Sequence, residues 1–315
     1  MRTDDPALER HLDRLYRPLA STRPPTATYT LRRARPPAEP DHRLRCGSEL
    51  VVATPEASVA LGYLVWHVNA QVIATGRRLV LLHAAAATWG DGALVLPGAS
   101  GSGKTTLVAA LAARGLGYLG DEVAALDPRT RRVHCYPKPL SVERGSQEVL
   151  AHLRPPPDPA IAPYRGATWH VSARSLAPDG HVGTTAPVRW IVLPRYEPGA
   201  ATELRPLARS SVLVALVEHC FNLAEHGRAG FELLAGVVGG ARCWTLTSGD
   251  LHEACDAVGQ VLEAPLAAEA AAEAAAEAAA EAPAEAPAEG PAEAAAEAAA
   301  EAAAEAPAEA PAEAR

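Results

Sequence analysis

Apolar positions in the first half of the chain change from a helical to a strand-like pattern. Over residues 59–73 they recur on one face at helical spacing, which predicts a helix. Two short apolar runs follow, over 79–84 and 93–97, and a Gly90-Asp91-Gly92 turn lies between them. An Asp-Gly turn between two strand-like runs is typical of a β-hairpin. The pattern therefore predicts a helix followed by a hairpin.

Helices and strands continue to alternate as far as residue 262. Helices are predicted over 105–114, 211–220 and 251–262, and strands over 116–119, 123–126, 132–136, 189–194 and 243–247. The run over 189–194 is apolar throughout, as is typical of a central strand buried on both faces. Together these elements predict an α/β sheet domain over residues 46–262.

The two ends of the chain differ in composition from this middle part. Residues 1–45 are rich in Arg and Pro, and we interpret them as a loosely ordered arm with one candidate strand over 27–32. Residues 263–315 form a low-complexity segment in which a Glu occupies every fourth position over 269–313, mostly with Ala-Ala-Ala or Ala-Pro-Ala between. Glutamates four apart repel one another on a helix, and proline interrupts it. This low-complexity segment is interpreted as a disordered acidic tail.

Charge and cysteine content narrow the class of protein. The formal net charge is −8, but without residues 266–315 it is +3. A near-neutral body argues against a nucleic-acid partner, because such proteins usually carry a concentrated basic face. The 5 cysteines are scattered and lack a C-x-x-C motif, which favours a reducing cytoplasm. Without a long apolar run or a signal peptide, we expect a cytoplasmic protein with no membrane partner; a homo-oligomer is compatible with the sequence.

The most specific signal in the sequence is a glycine-rich loop. Gly98-Ala-Ser-Gly-Ser-Gly103-Lys104-Thr105 satisfies G-x-x-x-x-G-K-[S/T] at every position, between a predicted strand and a predicted helix. In such loops backbone N–H groups converge on phosphate oxygens, and the helix adds its positive N-terminal end. The residues expected to contact the nucleotide are Gly98, Ala99, Ser100, Gly101, Ser102, Gly103, Lys104, Thr105 and Thr106. We therefore predict a nucleoside triphosphate site.

Three further positions suggest what happens at that site. Lys104 is expected to bridge the β and γ phosphates, and the Thr105 hydroxyl to bind Mg²⁺. Asp121 and Glu122 follow Lys104 by 17 and 18 residues, after a predicted strand. If that strand is the parallel neighbour of the loop's strand, both carboxylates lie beside the phosphates, where acids hold Mg²⁺ or accept a proton. His83 ends the predicted strand 79–84; a lone histidine there is more often a core residue.

Taken together, these features resemble the HPr kinase/phosphorylase family and its HPr-kinase-related branches. That family carries a His at a strand end, a G-x-x-G-x-G-K-[S/T] loop, and an acidic pair beginning 17 residues after the lysine, as this chain does. The matching positions are His83, the loop 98–105, Asp121 and Glu122. The likeness covers about residues 75–245 and is strongest over 80–143.

The resemblance implies a P-loop kinase domain similar in fold to phosphoenolpyruvate carboxykinase, with ATP and Mg²⁺ as cofactors. It implies phosphorylation of a serine-type hydroxyl on a peptide, a protein or a small molecule. Asp121 would be the general base, with His83 as its partner or as a donor to the phosphate, and Lys104 the third catalytic residue. Glu122 and Glu143 would serve the metal together with Thr105. Glu143 belongs to a shortened form of the family's second signature, Glu143-Arg144-Gly145.

Two other functions use the same loop. A nucleotide-binding regulatory module or a simple ATPase would need the phosphate site without an acceptor. Retention of both His83 and Asp121 favours the kinase, because nucleotide binding alone does not need them. His219, Asn222 and His226 lie near the end of a predicted helix and could face the site, although polar residues at such positions are more often solvated.

Overall fold

The computed structural model describes residues 1–33, 42–156 and 168–264. Its helices are α1 (Pro6–Tyr16), α2 (Ala57–Thr75), α3 (Lys104–Ala113), α4 (Arg209–Glu218), α5 (Leu223–Gly239) and α6 (Leu251–Glu263). Its strands are β1 (Arg2–Thr3), β2 (Tyr29–Arg33), β3 (His42–Cys46), β4 (Glu49–Thr54), β5 (Val80–Trp89), β6 (Gly92–Pro97), β7 (Gly117–Gly120), β8 (Val123–Leu126), β9 (Arg132–His134), β10 (Leu140–Val142), β11 (Trp169–Val171), β12 (Ala186–Tyr196), β13 (Glu203–Pro206) and β14 (Arg242–Ser248). The acidic tail predicted from residue 263 lies outside the described residues beyond position 264.

A mixed sheet of 8 strands is the centre of this part of the chain. Its order is β13-β14-β12-β6-β5-β8-β9, and β7 also pairs with β5. Strands β6 and β14 run parallel to β12, whereas β5 is antiparallel to β6, β7 and β8. Strand β9 also pairs with the start of β12, so the path of strands returns on itself. The prediction of an α/β fold is confirmed at this level.

Helices cover both faces of the sheet. Along the hairpin, Ala85 and Leu96 pack into a core shared with α3 and α6. Ala84 and Val95, one position away, pack into a second core shared with α4 and α5. This follows from the period of two along a strand, which sends successive side chains to opposite faces. The result is a three-layer arrangement, and the small alanines of β5 allow helices to approach closely from either side.

The predicted elements of this domain are confirmed in type, with one instructive difference in length. Strand β5 continues to Trp89, five residues past the predicted end, and pairs with β6 along that extension. His83 therefore lies within a strand and not at its end. The run of four alanines after His83 hid this, because a run of one residue type carries no alternation by which a strand is recognised.

The strand that leads to Asp121 does not occupy its predicted place. Strand β7 is not the neighbour of β6, because β5 lies between them and pairs antiparallel with both. Helix α3 therefore crosses over one strand before the chain re-enters the sheet. Since β6 and β7 are each antiparallel to β5, they still run in the same direction, and their carboxyl ends open on the same edge of the sheet.

The described N-terminal residues form a core of their own, so the interpretation of a loosely ordered arm was wrong for residues 1–33 and 42–45, whereas the candidate strand over 27–32 is present as β2. Strands β1 to β4 form a second sheet in sequential order, and α1 and α2 pack against it. Leu8 and Leu44 are fully buried there. Helix α1 begins with two ordinary start signals: Asp5 accepts hydrogen bonds from the backbone of Ala7, and Pro6 takes the first helical position. The Arg and Pro content outweighed these signals in the prediction.

Helix α2 is long and apolar enough by composition to cross a membrane, with a mean hydropathy of 1.2. Core helices of soluble proteins pass the same test, so this composition is weak evidence. In the structure α2 contributes Ala60, Leu61 and Leu64 to the core of the N-terminal sheet. Its apolar character is therefore explained in part by packing within the chain.

The N-terminal core can be tested with a matched pair of leucines. Leu44→Ala removes a fully buried side chain and should lower the free energy of unfolding by about 2–5 kcal/mol. Leu50→Ala, on the paired strand and 48% exposed, should change it by about 0.5 kcal/mol or less. Urea unfolding followed by tryptophan fluorescence measures both. Equal midpoints for the two variants would contradict a folded N-terminal core.

Candidate functional site

The register of β5 brings together three features that are distant in sequence. On one side β5 pairs with β6 as far as Pro97, so the glycine-rich loop leaves the sheet at that level. On the other side His83 pairs with Val123, which directly follows Asp121 and Glu122. His83, the start of the loop and the acidic pair therefore meet at one edge of the sheet. Ligands of open α/β sheets bind at this kind of edge, outside the carboxyl ends of the strands.

The loop has a backbone shape that its glycines permit. Gly101 and Gly103 have φ values of 76° and 93°, a region that residues with a Cβ rarely adopt. A Cβ on Gly98 would lie only 2.8 Å from the Ser102 hydroxyl oxygen. The loop then enters α3 at Lys104, so the N–H groups of the first helical turn adjoin it.

Lys104 and Ser102 indicate which kind of ligand would suit the loop. Lys104 is 5% exposed, and its ammonium donates to the carbonyl oxygens of Gly98 and Ala99, each at 2.6 Å. The Ser102 hydroxyl is buried and has no hydrogen-bond partner among the described residues. A buried hydroxyl without a partner costs free energy, which a ligand oxygen would relieve. A phosphate group fits these donors.

Asp121 is buried and already paired. It is 2% exposed, and its Oδ1 lies 2.7 Å from the ammonium of Lys138. The same oxygen accepts a hydrogen bond of 2.8 Å from the hydroxyl of Tyr118. Burial, then the neighbouring Asp121, raises the pKa of Tyr118 well above its usual value, so this hydroxyl stays protonated and continues to donate. The two contacts fix the orientation of the carboxylate.

Lys138 is the residue of this site that the sequence analysis missed. It is 4% exposed, and lysine is almost never this deeply buried without a charged partner. It lies between two prolines in the segment Tyr136-Pro-Lys-Pro-Leu140. The signal that could have found it is this lone lysine among apolar and proline residues, downstream of a carboxylate that needed a counter-charge.

His83 contacts the second acid of the pair. Its Nε2 lies 3.5 Å from Oε1 of Glu122. Burial, followed by the charges of Lys104 and His219, lowers the pKa of His83 to about 3. At physiological pH the imidazole is therefore neutral, with one nitrogen able to donate and the other able to accept a hydrogen bond.

The polar cluster at the end of α4 supports the strand that carries His83. The backbone N–H of His83 donates to the carbonyl of His219 at 2.7 Å. Asn222 is buried, accepts from the backbone of Leu81 and donates to the carbonyl of Leu79, both at 2.9 Å. Asn222 is therefore buried, although we expected it to be solvated. Its side chain makes the hydrogen bonds to β5 that a neighbouring strand would make beyond the end of β6.

The remaining predicted metal residues do not assemble a cluster. Glu143 is exposed, directly after β10. Within the described ranges no group of three or more His, Cys, Asp and Glu side chains is arranged to hold a metal ion. Mg²⁺ in nucleotide sites is usually bound by one or two side chains, several waters and the phosphates themselves. Thr105 and Glu122 would supply side chains of that number, whereas a preformed protein cage is not present among the described residues.

The second threonine of the loop has a structural partner. The hydroxyl of Thr106 lies 2.6 Å from that of Ser146, in the turn that follows β10. This contact ties the first turn of α3 to the segment that contains Glu143. Thr106 was predicted to contact the nucleotide, and its hydroxyl is already engaged.

Comparison with known proteins adds no family to these observations. No protein-family model matches the chain, and no curated protein matches it.

The buried ion pair predicts a coupled effect on stability. Lys138→Met leaves the Asp121 carboxylate buried without its cation and should cost about 3–5 kcal/mol. In the double variant Asp121→Asn/Lys138→Met neither charge remains, so we expect more than half of this loss to be recovered. Arg129→Met, at an exposed turn, is the control and should change stability by about 0.5 kcal/mol or less. Additive losses, measured by urea unfolding, would contradict the pairing.

Proposed function

We propose that this protein is a Mg²⁺-ATP-dependent kinase that transfers the γ-phosphoryl group to a serine-type hydroxyl on a peptide, a protein or a small molecule. The observation that carries the proposal is the convergence of the loop, His83 and the Asp121–Glu122 pair at one sheet edge. Phosphoryl transfer needs a phosphate cradle, a cation beside the phosphates and a group that orients the acceptor hydroxyl. The resemblance to HPr-kinase-related proteins supports the same assignment.

The loop and Lys104 form the phosphate site of this proposal. Lys104 exchanges the carbonyls of Gly98 and Ala99 for the β and γ phosphate oxygens. Ser102 and the N–H groups at the start of α3 donate to the same oxygens. Thr105 and Glu122 would hold Mg²⁺ together with the phosphates, and the bound ion would supply positive charge to offset the charge on the leaving group. The stabilisation of the transition state is mainly electrostatic, because donors that are already fixed in place need no reorganisation during transfer.

Asp121 is the general base of this proposal. Lys138 and Tyr118 both contact Oδ1, which leaves Oδ2 as the oxygen that accepts the hydroxyl proton. As that proton moves to Oδ2, the acceptor oxygen bonds to the γ phosphorus, and the bond from phosphorus to the β–γ bridging oxygen breaks. ADP leaves with the electron pair. Neutral His83 is placed to donate a hydrogen bond to a transferring phosphate oxygen.

One observation favours the alternative of a simple ATPase or a nucleotide-binding regulatory module. Asp121 is 2% exposed and already paired with Lys138, so an acceptor has little access to it while this geometry persists. Under this alternative the ion pair is purely structural, and no acceptor is phosphorylated. The transfer experiment below separates the two functions.

We place the proposed kinase in the cytoplasm, with ATP and a hydroxyl-bearing acceptor as its partners. All five cysteines are free in the structure, which agrees with a reducing compartment. Neither a nucleic acid nor a membrane is part of the proposal.

Removal of the Lys104 ammonium tests the phosphate site. Lys104→Ala should weaken Mg²⁺-ATP binding about tenfold or more, because the cation at the loop is lost. Titration calorimetry on the folded variant measures this affinity, and Arg129→Met controls for loss of a positive charge elsewhere. Unchanged binding in Lys104→Ala would show that the loop is not the nucleotide site.

Asp121→Asn tests the proposed base. Transfer of labelled γ-phosphate to an acceptor, found by screening free serine and serine peptides, should fall roughly 10²–10⁴-fold, while Mg²⁺-ATP affinity changes little. Asp91→Asn, in the exposed hairpin turn, serves as the control. Because Asp121→Asn leaves Lys138 without its anion, the double variant Asp121→Asn/Lys138→Met provides a second background for the rate.

Other results of the transfer experiment would lead to different conclusions. Transfer at the wild-type rate in Asp121→Asn would remove the base assignment. Collapse of Mg²⁺-ATP binding alone would make Asp121 a metal ligand. ATP hydrolysis without any labelled acceptor across the screen would favour the ATPase.

A further inference from the structure

The order of strands indicates toward which strands the two ends of the proposed nucleotide point. The acceptor groups, Asp121, Glu122 and His83, lie on the side of β6 that faces β5. The γ-phosphate must point toward them for transfer to occur. The base end of the same nucleotide then extends to the opposite side of β6, where β12 is the next strand. Strand β12 is parallel to β6, so its carboxyl end opens on the same edge of the sheet as the loop.

Tyr196 is the last residue of β12 and is joined to the loop. Its backbone N–H donates to the carbonyl of Ser102 at 3.2 Å. A Cβ added to Gly103 would lie 3.3 Å from the Cβ of Tyr196, so glycine allows this strand end to approach the loop. These two contacts, one of backbone and one of side chain, fix where the tyrosine side chain begins relative to the phosphate site.

The tyrosine ring itself is not packed into the core. Tyr196 is 56% exposed, an unusual state for a large aromatic residue at the end of a central strand. Its neighbours Arg195 and Glu197 pair with each other at 2.6 Å, so their charges offset one another at this strand end. Next to the loop the strand end therefore presents an aromatic surface with little net charge, which suits a nucleobase better than a further phosphate.

We propose that Tyr196 stacks on the base of the bound nucleotide and so determines its preference for a nucleoside triphosphate over a bare polyphosphate. This inference rests on the proposed function, because it takes the loop as the phosphate site. Stacking uses the π-face that every base has, so it favours the larger purines over pyrimidines and discriminates weakly between ATP and GTP.

The test compares two probes that differ in the base. Binding of Mg²⁺-ATP and of inorganic tripolyphosphate is measured by calorimetry for the wild type, Tyr196→Ala and Tyr196→Phe. Loss of stacking in Tyr196→Ala should weaken ATP by roughly 5- to 150-fold while tripolyphosphate affinity stays within about twofold. Tyr196→Phe keeps the ring and should resemble the wild type. Phe231→Ala, an aromatic on α5 that is 47% exposed, is the matched control.

The outcomes separate this inference from the proposed function. If Tyr196→Ala binds ATP as the wild type does, or weakens both probes equally, the stacking role is wrong while the phosphate site stands. If wild-type protein binds neither probe, the proposed function fails and the stacking role fails with it. Selective loss of ATP affinity in Tyr196→Ala, with retention in Tyr196→Phe and Phe231→Ala, supports the proposal.

Discussion

The candidate site depends on the register of strand β5. On one side Ala84 of β5 pairs with Pro97 of β6, and on the other side His83 pairs with Val123 of β8. A shift by one residue would turn His83 to the other face and exchange the two sets of alanines between the two cores. The register is strongly specified because both faces of β5 are buried under helices. The site is thus positioned by the packing of the whole domain and not by the loop alone.

The second consequence of this arrangement concerns charge. The acidic pair lies in a gap between β7 and β8, two strands that both pair with β5, so at least one carboxylate is drawn into the interior. Burial of Asp121 is tolerated because Lys138 and Tyr118 satisfy Oδ1. Glu122, one residue later, keeps access to solvent and contacts His83 instead. Two adjacent acids therefore have different environments, which is a common way to give them different tasks.

Local signals in the sequence were sufficient for most elements but not for their partners. The hairpin and the loop between strand and helix could be predicted. The resemblance implied His83 as the partner of Asp121, whereas the structure pairs it with Glu122, because Lys138 and Tyr118 already occupy Asp121. The insertion of β5 between β6 and β7 could not, since strand order is set by long-range packing. Lys138 escaped notice because a single lysine carries no periodic signal, and its burial depends on a partner 17 positions away. At the N-terminus Asp5 and Pro6 indicate the start of α1, whereas the Arg and Pro content favours an irregular arm.

The hydrogen bonds of Lys104 have a consequence for selectivity. Its ammonium already satisfies the carbonyls of Gly98 and Ala99, so the cradle closes on itself. Any incoming anion therefore competes with these two carbonyl oxygens for the ammonium. A polyphosphate carries several charged oxygens and would replace both carbonyls at once, whereas a halide is a single small ion and a carboxylate a single charged group. If the loop is the phosphate site, this internal competition would favour multiply charged chains over the small anions that are abundant in a cell.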